Sequence, residues 1–192
     1  IAQRWLGTDG APERSGRITL RPHQRDAVAR LRAVMAEPGG ALLADDVGLG
    51  KTYVATALIA EARQALVVCP ASLRELWERA LDAASAHAEI ITYSALSRGR
   101  TPAGNSSLIV LDEAHHARTP GTRRYAAIAR LAASARVLAL SATPIHNSRD
   151  DLAAVLALFL GARAWGMDDT ELARYVVRRE HRDLTPEDLP AL

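Results

Sequence analysis

The segment Asp45-Asp46-Val47-Gly48-Leu49-Gly50-Lys51-Thr52 brings two glycines, a lysine and a hydroxyl into one short stretch. It follows the apolar run Gly40 to Ala44 and opens a helix-period segment from Lys51 to Arg63. A Gly-rich turn between a strand and a helix lets backbone amides face an anion, and the positive end of the helix adds attraction. The stretch therefore reads as a phosphate-binding loop, with Lys51 on the β- and γ-phosphates and the Thr52 hydroxyl on Mg²⁺. The general pattern has Gly where this chain has Asp45.

Further along, the apolar run Ser107 to Leu111 delivers Asp112-Glu113-Ala114-His115. Adjacent carboxylates at the C-terminal end of a strand lie where α/β folds bind ligands. Asp112 is placed to hold Mg²⁺, and Glu113 to polarise an attacking water as general base. The apolar run Arg136 to Ser141 likewise ends in Ser141-Ala142-Thr143-Pro144-Ile145-His146-Asn147, which sets the hydroxyls of Ser141 and Thr143 beside the same crevice. Its plainer reading is a strand-to-helix turn capped by Asn147 or Ser148. His115 reads as a hydrogen-bonding coupler rather than a zinc ligand, because adjacent histidine side chains point apart and no third ligand stands at suitable spacing. Cys69, closing a buried run before Pro70, reads as inert core.

Composition narrows the field. In 192 residues there are 24 Lys+Arg, 22 Asp+Glu and a single Cys, which excludes a disulfide scaffold and fits a reducing, cytoplasmic setting. The formal charge of +2 does not by itself demand a polyanionic partner. The longest apolar run, Leu152 to Leu160, falls short of the roughly 20 residues of a membrane span. Lys51 is the only lysine, every other Lys+Arg position being Arg, so a compact ammonium stands out at this one place.

The elements that must position these residues follow from periodicity. Apolar runs at Gly40 to Ala44, Ala65 to Cys69, Glu89 to Thr92, Ser107 to Leu111 and Arg136 to Ser141 mostly lack alternation, as strands buried on both faces do. Helical patterns separate them at Pro22 to Ala36, Lys51 to Arg63, Ser72 to Ala84, Arg123 to Ala133, Arg149 to Leu160 and Asp169 to Val177. Arg98 to Ser106 reads as a loop. The expected architecture is an α/β three-layer domain with a mainly parallel central sheet.

The blocks Leu20-Arg21-Pro22-His23-Gln24, Ala44 to Thr52, Val67 to Leu73 with Trp77, Ile91 to Leu96, Asp112 to His115 and Ser141 to Asn147, in this order, resemble the first RecA-like domain of superfamily 2 helicases, and within it the Swi/Snf-type, DEAH-motif ATPases. Val177-Arg178-Arg179 and Leu189-Pro190 look like that family's link toward a second domain. The resemblance implies a RecA-like P-loop fold divided into a lead-in at 1–17, the ATP-binding domain at 18–165, and a C-terminal helix and link at 166–192. It implies that Gln24 reads the adenine edge beside Arg21, and that Asp45, Asp46, Val47, Gly48, Leu49, Gly50, Lys51 and Thr52 hold ATP. It assigns Mg²⁺ to Thr52 and Asp112, catalysis to Lys51, Asp112 and Glu113, and nucleotide-to-DNA coupling to His115, Ser141 and Thr143. Pro70, Ala71, Ser72, Thr92 and Tyr93 stand where the family touches the DNA backbone. The sequence departs from the family with Asp45-Asp46 for the commoner Asp-Glu, His23 for Tyr, and Ser141-Ala142 for Thr-Gly.

On this reading the chain is the ATP-binding half of a monomeric, DNA-dependent ATPase that moves on duplex DNA, away from membranes, and is weak without the second RecA-like domain that supplies the arginine fingers. Two alternatives stay open: half of an RNA helicase, and a nucleotide-gated regulatory module without motor activity.

Overall fold

The computed structural model describes residues 12–36, 39–141, 148–183 and 188. A short antiparallel hairpin of β1 (Arg14–Ser15) and β2 (Ile18–Thr19) comes first. It straddles the expected boundary between the lead-in at 1–17 and the domain from 18, and rests on the chain near Ala84, where Arg17 N–H donates to the Ala83 carbonyl at 2.7 Å. There follow α1 (Pro22–Met35), β3 (Gly40–Leu43), α2 (Lys51–Glu61), β4 (Ala65–Cys69), α3 (Arg74–Ala84), β5 (Glu89–Thr92), α4 (Tyr93–Ser97) and β6 (Leu108–Leu111). The last elements are α5 (Arg123–Ala132), β7 (Arg136–Leu140), α6 (Arg149–Leu160), α7 (Asp169–Ala173) and β8 (Val176–Val177).

The main sheet has six strands in the order β5-β4-β6-β7-β3-β8, and every pairing in it is parallel. Parallel strands bury both faces, which is why β3, β4 and β6 are apolar throughout and buried at every residue. Alternate side chains feed two cores. Leu43, Val67, Cys69, Val110, Leu138 and Leu140 pack under α1, α2 and α3, while Leu42, Leu66, Val68, Ile109, Leu111 and Ala139 pack under α4, α5 and α6. Helices obey the same logic. Trp77, Ala80, Leu81 and Ala84 of α3 are buried at the spacing of one helical face, whereas α6, wedged among other elements, is buried almost all round.

Polar caps fix where helices begin. Thr92, Thr122 and Ser148 each accept a main-chain N–H from the first turn of α4, α5 and α6. The Ser148 alternative in the capping expectation is the one observed; Asn147, with the rest of 142–147, lies outside the described residues.

The helix expected over Asp169 to Val177 stops at Ala173, and Val176–Val177 turns into an edge strand beside β3. Two β-branched residues fit a strand better than a helix end, and the edge of β3 offers partners: Leu42 N–H donates to Tyr175 and Ala44 N–H to Val177, both at 2.8 Å. Among the described residues no helix is long and apolar enough to cross a membrane.

Candidate functional site

The strand order brings the three chemistry-bearing segments side by side. In the sheet, β7 lies between β6 and β3. The C-terminal ends of these strands carry Asp112-Glu113, Ser141 and the Gly-rich loop, in that spatial order. Ser141 N–H donates to the Leu43 carbonyl at 3.1 Å, which extends the ladder to the edge of the crevice. Thr143 lies outside the described residues.

The loop between β3 and α2 has the geometry its glycines require. Gly48 and Gly50 take φ values of +87° and +81°, a region costly for any other residue. Gly50 is also crowded, because a Cβ there would stand 2.3 Å from Nε2 of Gln24. Gly48 instead meets nothing nearer than 4.0 Å, so only its backbone conformation demands glycine. Lys51 Nζ donates to the carbonyls of Asp45 and Asp46, at 2.6 and 3.0 Å, bridging the loop. Burial pushes the Lys51 pKa down, against the charges of Asp45, Glu113, Asp112 and Asp46. Thr52 is half-buried in the first turn of α2.

Asp112 is 9% exposed, and burial raises its carboxyl pKa against the opposing hydrogen bonds from Trp77 and the Glu113 amide. Trp77 Nε1–H donates to Oδ2 at 2.8 Å and Glu113 N–H to Oδ1 at 2.9 Å. Each carboxylate oxygen keeps a second lone pair. Hard oxygen donors from Asp112 and Thr52 at this end of the sheet suit Mg²⁺. Glu113 sits in the left-handed region at φ +51°, a strained placement for a residue with a side chain.

His115 Nδ1 lies 3.2 Å from Glu113 Oε2 but is buried without a hydrogen bond among the described residues, so the geometry is proximity rather than the expected hydrogen-bonded coupling. The rings of His115 and His116 do not point apart as expected. The left-handed turn at Glu113 leads into a 3-10 turn at Ala114–Ala117, and their centroids come within 4.4 Å.

Gln24 sits against the loop from α1, while Arg21, the residue before the helix, is exposed and donates to the Asp188 carbonyl. The Gln24 side chain is buried, accepting from Arg21 N–H at 3.0 Å and donating to the Leu49 carbonyl at 3.2 Å. It thereby ties the start of α1 to the loop. Of the residues expected to meet DNA, Ala71 and Ser72 are exposed on the 3-10 turn before α3, and Pro70 is half-buried. Thr92 caps α4, and the Tyr93 side chain turns inward, its hydroxyl donating to the Asp112 carbonyl at 2.9 Å. Tyr93 thus has its hydroxyl in the core rather than at the surface.

Sequence reasoning missed the partners of the loop's acids. Asp45, fully buried, pairs with Arg179, whose Nη2 lies 2.6 Å from Oδ2. Arg179 also donates to the His23 carbonyl. Asp46 receives the main-chain N–H of His181, the leading cause of its lowered pKa, and Oδ2 lies 3.1 Å from the His181 ring Nδ1. Asp188 accepts the His23 N–H and faces its Nδ1, both at 2.8 Å, and its carbonyl accepts from Arg21. The one signal available was a pair of arginines directly after the apolar Val176-Val177.

A parallel sheet with a Gly-rich loop at one strand end and paired acids at another defines a RecA-like P-loop domain. Residues 23–101 and 82–171 match the model of the SNF2-related domain, and the chain belongs to that family. A probable global transactivator of Orgyia pseudotsugata multicapsid polyhedrosis virus is 32% identical over 188 residues, covering 78% of this chain and 37% of the relative. The SWI/SNF-related matrix-associated actin-dependent regulator of chromatin subfamily A-like protein 1 of Xenopus laevis is 33% identical over 158 residues, covering 69% of this chain and 16% of the relative. The Sulfolobus solfataricus SWI2/SNF2 ATPase core in complex with dsDNA superposes with a TM-score of 0.73 at 24% identity, over 88% of this chain and 46% of that one. The chain thus spans less than half the length of each of these proteins.

Proposed function

We propose that this chain is the ATP-binding half of a DNA-dependent ATPase that hydrolyses ATP with Mg²⁺ and moves on duplex DNA. The observation that carries the reading is that the Lys51 loop after β3 and the Asp112-Glu113 pair after β6 stand at the same end of the sheet, one strand apart. Membership of the SNF2-related family supports it, as does the duplex bound by the Sulfolobus core.

In this reading the loop amides and Lys51 grip the triphosphate, with Gln24 and Arg21 on the base side. Thr52 and Asp112 hold Mg²⁺, which, when bound, neutralises charge developing on the phosphates. Glu113 takes the proton of the attacking water. Ser141, Thr143 and His115 couple nucleotide state to DNA grip. Pro70, Ala71, Ser72 and Thr92 meet the sugar-phosphate backbone through hydroxyls and helix-start amides, which favours binding without base specificity. Tyr93 belongs to the same segment.

Binding of a fluorescent ATP analogue tests the reading directly. Lys51→Ala abolishes it if the loop holds the triphosphate, and unchanged affinity in that variant defeats the assignment.

A further inference from the structure

Asp112 is gripped from both faces of the sheet. Trp77, on α3, belongs to the core beneath α1, α2 and α3, and its indole N–H reaches Oδ2 at 2.8 Å. Tyr93, at the start of α4, belongs to the opposite core, and its hydroxyl reaches the Asp112 main-chain carbonyl at 2.9 Å. Both side chains are buried, Trp77 completely and Tyr93 to 4% exposure. A dry indole N–H needs an acceptor, and here the acceptor is an acid rather than a carbonyl of the surrounding core. A hydrogen bond to a charged oxygen is about twice as strong as a neutral one, so it fixes direction as well as distance.

The sequence origin of the two donors adds to the case. Trp77 follows the exposed turn Ala71–Leu73 within two helical turns, and Tyr93 is next to Thr92. Tyr93 belongs to, and Trp77 lies just beyond, a segment proposed above to meet nucleic acid, and their side chains meet at one residue.

We propose that Trp77 and Tyr93 are positioning residues for the metal-binding carboxylate. Trp77 sets the rotation of the Asp112 side chain by holding Oδ2, with the Glu113 amide on Oδ1. Tyr93 anchors the peptide from which that side chain hangs. The proposal rests on Asp112 as a ligand of Mg²⁺, and removing such outer partners lowers metal affinity about 10–100-fold in metal sites generally.

The test is binding of a fluorescent ATP analogue to this chain in Mg²⁺ and in EDTA, with Mn²⁺ spin resonance as a direct readout of metal affinity. Tyr93→Phe deletes only the hydroxyl. At position 77, benzothienylalanine replaces the indole N–H by sulfur at nearly constant shape, and Trp77→Phe gives the genetically encoded counterpart. The expected result is a ~10–100-fold drop in the Mg²⁺-dependent gain in affinity, and in Mn²⁺ affinity, for the position 77 isostere. Tyr93→Phe lowers both to a smaller extent, and affinity in EDTA is unchanged throughout. A full Mg²⁺-dependent gain in the isostere overturns the positioning role, as does an equal loss in Mg²⁺ and EDTA. If the unmodified chain itself gains nothing from Mg²⁺, the assignment of Asp112 fails first, so the two failures are distinguishable.

Discussion

Gly50 illustrates how much one residue carries. Its φ of +81° and the 2.3 Å approach of Gln24 Nε2 to a would-be Cβ act together. Gly50→Ala must hold alanine in the left-handed region, at about 1–2 kcal/mol, and push the Gln24 amide off the Leu49 carbonyl. A lower denaturation midpoint is expected, together with weaker ATP-analogue binding, because the displaced group, with the His23 ring, ties α1 to the Leu49 carbonyl of the loop. Cys69 is a contrasting case: burial pushes its thiol up to about 11, in keeping with a core residue. Lys51, Thr52, Asp112, Glu113 and Ser141 were legible from sequence because each lies in a short string next to an apolar run. Trp77 was visible only as part of a family pattern. Nothing local says that its N–H meets an acid 35 positions away.

At the scale of elements, the four interior strands β3, β4, β6 and β7 were legible because two-sided burial leaves nearly uninterrupted apolar runs, and the edge strand β5 was legible from its Ile90-Ile91-Thr92. The two-residue strands were not. The hairpin at Arg14–Thr19 and the strand Val176–Val177 are each too short for periodicity to register, and they exist because neighbouring backbone offers hydrogen bonds. The second of these reorganises the site, for it delivers Arg179 to Asp45. With Arg179 at 7% and Asp45 at 0% exposure, the pair is sealed from water. Arg179→Ala leaves a buried carboxylate without its cation, and a loss of roughly 3–5 kcal/mol is expected by urea denaturation. Arg178→Ala is the control: its ion pair with Glu180 is about a third exposed, and a change within about 1 kcal/mol is expected. The departure from Gly at the first position of the loop thus has a structural role: Asp45 is the counterion of a distant element.

For the whole molecule, the relevant fact is that the chain covers under half of each relative described. Phosphoryl transfer without an arginine from a facing domain runs about 10³–10⁵-fold slower. The 192 residues alone are therefore expected to bind the ATP analogue yet turn ATP over very slowly, with or without duplex DNA, in a phosphate-release assay. Brisk DNA-stimulated turnover by this chain would contradict the division of labour proposed here. The path of the polypeptide after β8 adds a mechanical consequence. Past that strand, Arg179, His181 and Asp188 pair in turn with Asp45, Asp46 and His23. A pull on that tail would be felt first at the rim of the phosphate cradle rather than dissipated in a slack tether, making the tail a short lever whose fulcrum is the Asp45 carboxylate.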